Sequence, residues 1–165
     1  MDLIAKYRMR GMSRGYLKDP SALIHPMILI GAGATLTPEF AEKNKITHVI
    51  NCAEDEMCPS WFPVNFPDKY TCLSAVDALD VNIIDWYPKF KSALQTYLQD
   101  PSCKRVYVHC QCGINRSAFL AMTYVCDVFG YNYFNARESI LKQRPCALTN
   151  SVFSSQVYDF LTRVR

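Results

Sequence analysis

A cysteine and an arginine, separated by five residues, stand where a short apolar strand gives way to a long apolar helix. The stretch reads Val106-Tyr107-Val108, then His109-Cys110-Gln111-Cys112-Gly113-Ile114-Asn115-Arg116-Ser117, then an almost unbroken apolar run from Ala118 to Phe129. That run is long enough for a buried helix, and Gly130 is a stop signal. A strand feeding a buried helix through a short loop is expected in an α/β domain, with helices flanking a central sheet. The first N–H groups of a helix lack partners, and the aligned peptide dipoles favour an anion there. A loop wrapping that end adds further N–H groups and makes a nest for a tetrahedral oxyanion. Gly113, in mid-loop, suits a positive φ or a close approach of the backbone to a ligand.

The side chains supply reactivity. A helix N-terminus and neighbouring positive charge favour the thiolate form of a cysteine, so Cys110 is placed to attack phosphorus in line. Arg116 offers a planar fork matched to two phosphate oxygens, which lysine could not reproduce. Ser117 can donate a hydrogen bond to the sulfur and help it leave afterwards. The bland readings are a structural turn with buried cysteines, or a zinc site built on His109, Cys110 and Cys112. No partner pair at finger-like spacing follows the latter.

The pattern His-Cys-x5-Arg-Ser resembles the signature of the cysteine-dependent protein phosphatases, and its surroundings resemble the small (atypical) dual-specificity phosphatases of the protein tyrosine phosphatase superfamily. The resemblance covers about residues 25 to 163. It implies a central, mostly parallel sheet flanked by helices. It also implies two-step hydrolysis of phosphotyrosine and phosphoserine or phosphothreonine through a phosphocysteine, on phosphorylated protein substrates, with no metal and no cofactor. Gln111, Cys112, Gly113, Ile114, Asn115 and Arg116 would line the phosphate loop, and His109 would tune the thiolate by holding the loop through hydrogen bonds.

The chain of 165 residues is read as one domain large enough for a core; half its residues are hydrophobic and a fifth charged, ordinary for a globular protein. The net charge of +3 is mild: it helps attract phosphorylated substrates but falls short of the basic excess of a dedicated nucleic-acid binder. Eight cysteines could suggest disulfides. The basic N-terminus has no apolar run behind it, however, and no stretch approaches membrane-spanning length. Reduced thiols in a cytoplasmic or nuclear setting, with no membrane partner, are expected.

In chain order, residues 1–24 are expected as an N-terminal helix or arm, with Leu3, Ile4, Tyr7 and Met12 able to line one face. A packed helix or tail is the plain reading, and a homodimer or docking arm the sharper one. The catalytic domain is expected over 25–165. Strands are predicted at Met27–Gly31, Ile46–Asn51 and Tyr70–Leu73, and a helix opens at Thr37-Pro38 with a cap and proline in its first turn. Glu54 to Lys69 reads as a loop. Asn82 to Gln99 has helical spacing that Pro88 restricts to a start near Asp85. Tyr133 to Leu141 is a helix closed by Gln143-Arg144-Pro145, and Asn150 caps the last one.

The family places a general acid on a loop after a strand upstream of the cysteine. Asp77 fits best; Asp80 is the rival, read as the N-cap of the next helix. By the same resemblance the Asn150 side chain braces the phosphate loop. Asn51-Cys52-Ala53-Glu54 is similar to a stretch of a lipid phosphatase of the same superfamily, which implies Cys52 as a redox partner for oxidised Cys110; the alternative is a small buried apolar residue. Cys112 stands where most relatives have a small residue. Neutral Gln111, Ile114 and Asn115 argue against a phosphoinositide substrate. The Gly-x-Asn-Arg pattern at Gly113–Arg116 is shared with RNA 5′-triphosphatases, which keeps nucleic acid as the alternative. A phosphopeptide-binding pseudophosphatase is the third reading.

Overall fold

The computed structural model describes residues 18–164; the expected face of Leu3, Ile4, Tyr7 and Met12 lies outside them. Among the described residues five strands form one sheet in the order β1-β2-β5-β3-β4. They are β1 (Ala22–His25), β2 (Ile28–Ala32), β3 (His48–Asn51), β4 (Tyr70–Cys72) and β5 (Val106–Cys110). All neighbours run parallel except β1, which pairs antiparallel with β2. Strand β1 lies across the boundary expected at residue 25. Residues 22–25 belong to the sheet, because the Pro26-Met27 turn folds them back onto β2, with Ala22 opposite Ile30.

Alternation along each strand sorts the core into two layers. Ile28, Ile30, Ile50, Val106, Val108 and Cys110 face a large cluster covered by helices, while Leu29, Val49 and Tyr107 face a smaller one with Leu36, Ala41 and Phe62. The smaller layer holds α1 (Pro38–Lys43) and α2 (Trp61–Asn65). Thr37 caps α1 by accepting from the Phe40 N–H, with Pro38 in the first turn, as the sequence predicts. The stretch 54–69 is more ordered than the expected loop: α2 is flanked by 3₁₀ turns at Asp55–Met57 and Pro67–Lys69. Prolines that break a long helix are compatible with such single turns.

The larger layer is built by α3 (Tyr87–Gln99), α4 (Arg116–Asp127), α5 (Tyr133–Gln143) and α6 (Ser151–Arg163). Pro88 sits in the first turn of α3, preceded by a 3₁₀ turn at Ile83–Trp86. The cap of that turn is Asn82, whose side chain accepts from the Ile84 N–H, so Asp80 does not have the capping role expected of it. Every residue of α4 from Arg116 to Cys126 is buried, as expected of a helix surrounded by protein on all sides. It packs on β5, β2, α5 and α6. Its N-terminus thereby lies at the carboxyl end of β5, near the middle of the sheet, where open α/β sheets form their crevices.

Candidate active site

The loop between β5 and α4 is held from outside by its carbonyl groups. His109 Nδ1 meets the Cys110 oxygen at 3.0 Å, and the Gly33 N–H donates to Gln111 at 3.2 Å. Arg144 donates from Nη2 to the Cys112 oxygen at 2.7 Å and from Nε to Gly113 at 3.0 Å. The Leu148 N–H reaches the Ile114 oxygen at 2.7 Å, and the Phe119 N–H reaches Asn115 at 2.9 Å. A trans peptide points its N–H away from its C=O. Six consecutive carbonyls turned outward therefore turn the N–H groups of residues 111 to 116 toward the inside of the loop. With the N-terminus of α4 behind them, they make a ring of donors suited to a tetrahedral oxyanion. Gly113 has φ +65°, the first of the two uses expected of this glycine, and a Cβ there would lie 2.4 Å from the Gly31 backbone, a close approach to the protein's own main chain.

Cys110 ends β5 inside this ring, with its sulfur 3.3 Å from the Ser117 hydroxyl. His109 is fully buried. Its contact to a carbonyl requires a proton on Nδ1 and leaves Nε2 as a bare lone pair, buried without a partner among the described residues. Burial, assisted by the charge of Arg116, lowers its pKa to about 4, so the ring is neutral at pH 7. The Arg116 guanidinium is also buried and is steered by two acceptors, the Ala75 carbonyl at 3.0 Å and the Glu54 carboxylate at 3.4 Å.

Asp77 reaches the same loop. Its two oxygens accept from Asn115 Nδ2 and Asn150 Nδ2, both at 3.1 Å. Asp80 is exposed and makes no comparable contact among the described residues. Asn150 caps α6, its Oδ1 accepting from the Val152 and Phe153 N–H groups. It touches the loop through its backbone N–H, which donates to Asn115 Oδ1 at 2.9 Å. The contact to the loop is thus made by the main chain and not by the side chain as expected, because the side chain is divided between the helix end and Asp77.

Cys52 lies one residue beyond β3, its N–H donating to the His109 oxygen at 2.7 Å, and shares a core cluster with Cys110. Burial, and then the neighbouring Cys110, push its thiol well up. Cys112 faces Ala32, Ile114 and Cys146 in a small apolar cluster. Among the described residues none of the eight cysteines forms a disulfide. Among the described residues no three His, Cys, Asp or Glu side chains cluster as a metal set, and no helix is long and apolar enough to cross a membrane.

Residues 28–163 match the family described as dual specificity phosphatase, catalytic domain. The chain belongs to the dual specificity phosphatase family. Among curated relatives it is 30% identical over 121 residues to the mouse serine/threonine/tyrosine-interacting protein, covering 72% of this chain and 53% of that one. It is 29% identical over 123 residues to human dual specificity protein phosphatase 22, covering 74% and 62%. The chain therefore spans roughly half to two thirds of these relatives' lengths. A crystal structure of the human tyrosine phosphatase-like serine/threonine/tyrosine-interacting protein superposes with a TM-score of 0.72 at 25% identity, covering 88% of this chain and 97% of that one.

Two residues of this phosphatase-family site carry no signal in the sequence pattern. Arg144 reads there only as part of a helix stop, yet it is buried and also donates to the Asp19 carbonyl at 2.9 Å. Glu54 reads as the start of a loop. What could have marked it is position: it lies just beyond a strand adjacent to β5, at the carboxyl edge of the sheet, where an Asn51 turn fixes it through the Ala53 N–H and the Glu54 carbonyl.

Arg144→Lys keeps the charge but cannot span two carbonyls. It is expected to weaken inorganic phosphate binding about tenfold in calorimetry, the worth of one lost charge-assisted hydrogen bond. His109 generates a second expectation. An unfolded histidine titrates near 6.5, so between about pH 6.5 and 4 the unfolded chain binds the extra proton and stability falls with acidification. The stability contributed is full above pH 6.5 and amounts to on the order of 3 kcal/mol. His109→Asn, which retains a donor at the same place without titrating, should flatten the loss of melting temperature between pH 7 and 4.

Proposed function

We propose that this domain hydrolyses phosphotyrosine and phosphoserine or phosphothreonine in proteins through a phosphocysteine intermediate. The observation that carries the reading is the ring of inward N–H groups around the Cys110 sulfur, with the Arg116 guanidinium and the Asp77 carboxylate at its rim. The equatorial phosphoryl oxygens bind the ring and the Arg116 fork, which neutralise charge as it spreads in the transition state. Cys110 attacks as the thiolate, in line with the leaving oxygen. Asp77 gives that oxygen its proton. Asp77, now a carboxylate, takes a proton from the water that attacks the phosphocysteine, and Ser117 donates to the departing sulfur.

The Asn115 side chain, part of the Gly113–Arg116 pattern shared with RNA 5′-triphosphatases, is engaged with Asp77, Thr149 and Asn150. The mild net charge of +3 supports the protein-phosphatase reading over that alternative. Cys52 shares a core cluster with Cys110, which supports a protective role: peroxide oxidises Cys110 to the sulfenic acid, and the Cys52 thiol condenses with it, forming the disulfide and releasing water, a step that its raised pKa makes slow at neutral pH.

The test is phosphate release in the presence of chelator from paired phosphotyrosine and phosphothreonine peptides, a phosphoinositide and a 5′-triphosphorylated RNA. Both peptides should turn over, with no loss in chelator. Cys110→Ser should abolish turnover while retaining peptide binding. Asp77→Ala should lower kcat on the peptides by about a hundredfold or more. Turnover of the RNA alone moves the domain to the triphosphatase class, and binding without any turnover makes it a phosphopeptide-binding module.

A further inference from the structure

Asn115 and Asn150 occupy the N-cap positions of α4 and α6, and both present an amide nitrogen to the same carboxylate. Neither amide is free to turn over. The Asn115 Oδ1 position receives the Asn150 backbone N–H at 2.9 Å, and a backbone N–H can only donate. The atom there must be oxygen, which forces Nδ2 to the other side, against Asp77 Oδ2. Thr149 Oγ1 lies within 3.2 Å of that nitrogen and 3.4 Å of the oxygen, completing the fit. The same reasoning applies to Asn150: its Oδ1 receives the Val152 and Phe153 N–H groups, each at 3.1 Å, so its nitrogen must face Asp77 Oδ1. Two main-chain elements thus dictate that each oxygen of Asp77 meets one neutral donor.

The segment carrying Asp77 has little other support. Residues 73–79 lie in no helix or strand, and both Val76 and Leu79 are exposed. Upstream, the backbone is tied by the Ala75 N–H to the Cys52 carbonyl and by Arg116 Nη1 to the Ala75 oxygen. Among the described residues nothing comparable holds residue 77 except the two amides. The two donors fix the direction of the carboxylate.

We propose that Asn115 and Asn150 are positioning residues that hold the Asp77 carboxylate over the phosphate loop before substrate arrives. This rests on the reading of Asp77 as acid and base. The readout is the ratio of kcat/KM for an activated nitro-substituted aryl phosphate to that for phenyl phosphate. Both esters need the phosphate loop equally, but only the poor leaving group needs the acid, so damage to the loop cancels in the ratio.

Asn115→Ala should raise the ratio about tenfold or more. Asn150→Ser, which keeps an oxygen for the helix cap but withdraws the donor, should raise it in the same direction. In an Asp77→Ala background Asn115→Ala should change the ratio by less than about twofold, since the residue acts through Asp77. A ratio unmoved by both asparagine variants, with Asp77→Ala raising it, overturns the inference and leaves the acid assignment standing. A further rise in the Asp77→Ala background also overturns it. A ratio unmoved by Asp77→Ala itself removes the acid assignment and the inference together.

Discussion

Six carbonyl groups pointing the wrong way for a ligand are what the site depends on. An oxyanion nest requires N–H groups that converge, and peptide geometry allows that only where the opposite ends of the same peptides diverge and are satisfied elsewhere. The acceptors from Cys110 to Asn115 are distributed over His109, Gly33, Arg144, Leu148 and Phe119. Their donors come from β5 itself, the segment after β2, the end of α5, the loop before α6 and the interior of α4. The rest of the fold can be understood as the means of bringing these five places to one loop. Leu148 even adopts φ +61° to present its N–H, a conformation disfavoured for a branched side chain and tolerated where its surroundings fix it.

The sheet order supplies the proximity. With β5 between β2 and β3, the carboxyl ends of three adjacent parallel strands deliver Gly33, Cys110 and Cys52 side by side. The segment after β4 then crosses above β3, where its Ser74 and Ala75 N–H groups donate to Ala53 and Cys52. That crossing brings Ala75 to Arg116 and Asp77 to Asn115. No single strand end could supply thiol, guanidinium and carboxylate at once, so the constellation is a property of the parallel register.

Much of this was legible in the sequence because its cause is local. The strand–loop–helix around Cys110 follows from an apolar run, a glycine and a second apolar run. Thr37-Pro38 declares its own cap, and Pro88 declares a late helix start. What was not legible depends on partners remote in sequence. Arg144 lies 32 residues from one of the carbonyls it holds, and nothing in Gln143-Arg144-Pro145 marks the arginine as buried rather than terminal. Glu54 carries no pattern until the adjacent strand is known. β1 escapes because four residues, Ala22–His25, offer too short an alternation to separate from an arm. Asp80 and Asn82 are both good cap residues two positions apart, and propensity alone cannot choose between them.

The same burial that shapes the loop also restricts which thiol can react. Cys52, Cys112 and Cys146 are all packed beside the loop or under it, and burial pushes Cys112 up to about 12 and Cys146 to about 11, with Cys52 raised well above the ordinary range. Each therefore stays protonated and poorly nucleophilic at neutral pH. Cys110 is buried as well, but it alone sits inside the ring of N–H groups and against the Ser117 hydroxyl. Of the four cysteines gathered around this loop, Cys110 is the one placed at the Ser117 hydroxyl and the N-terminus of α4.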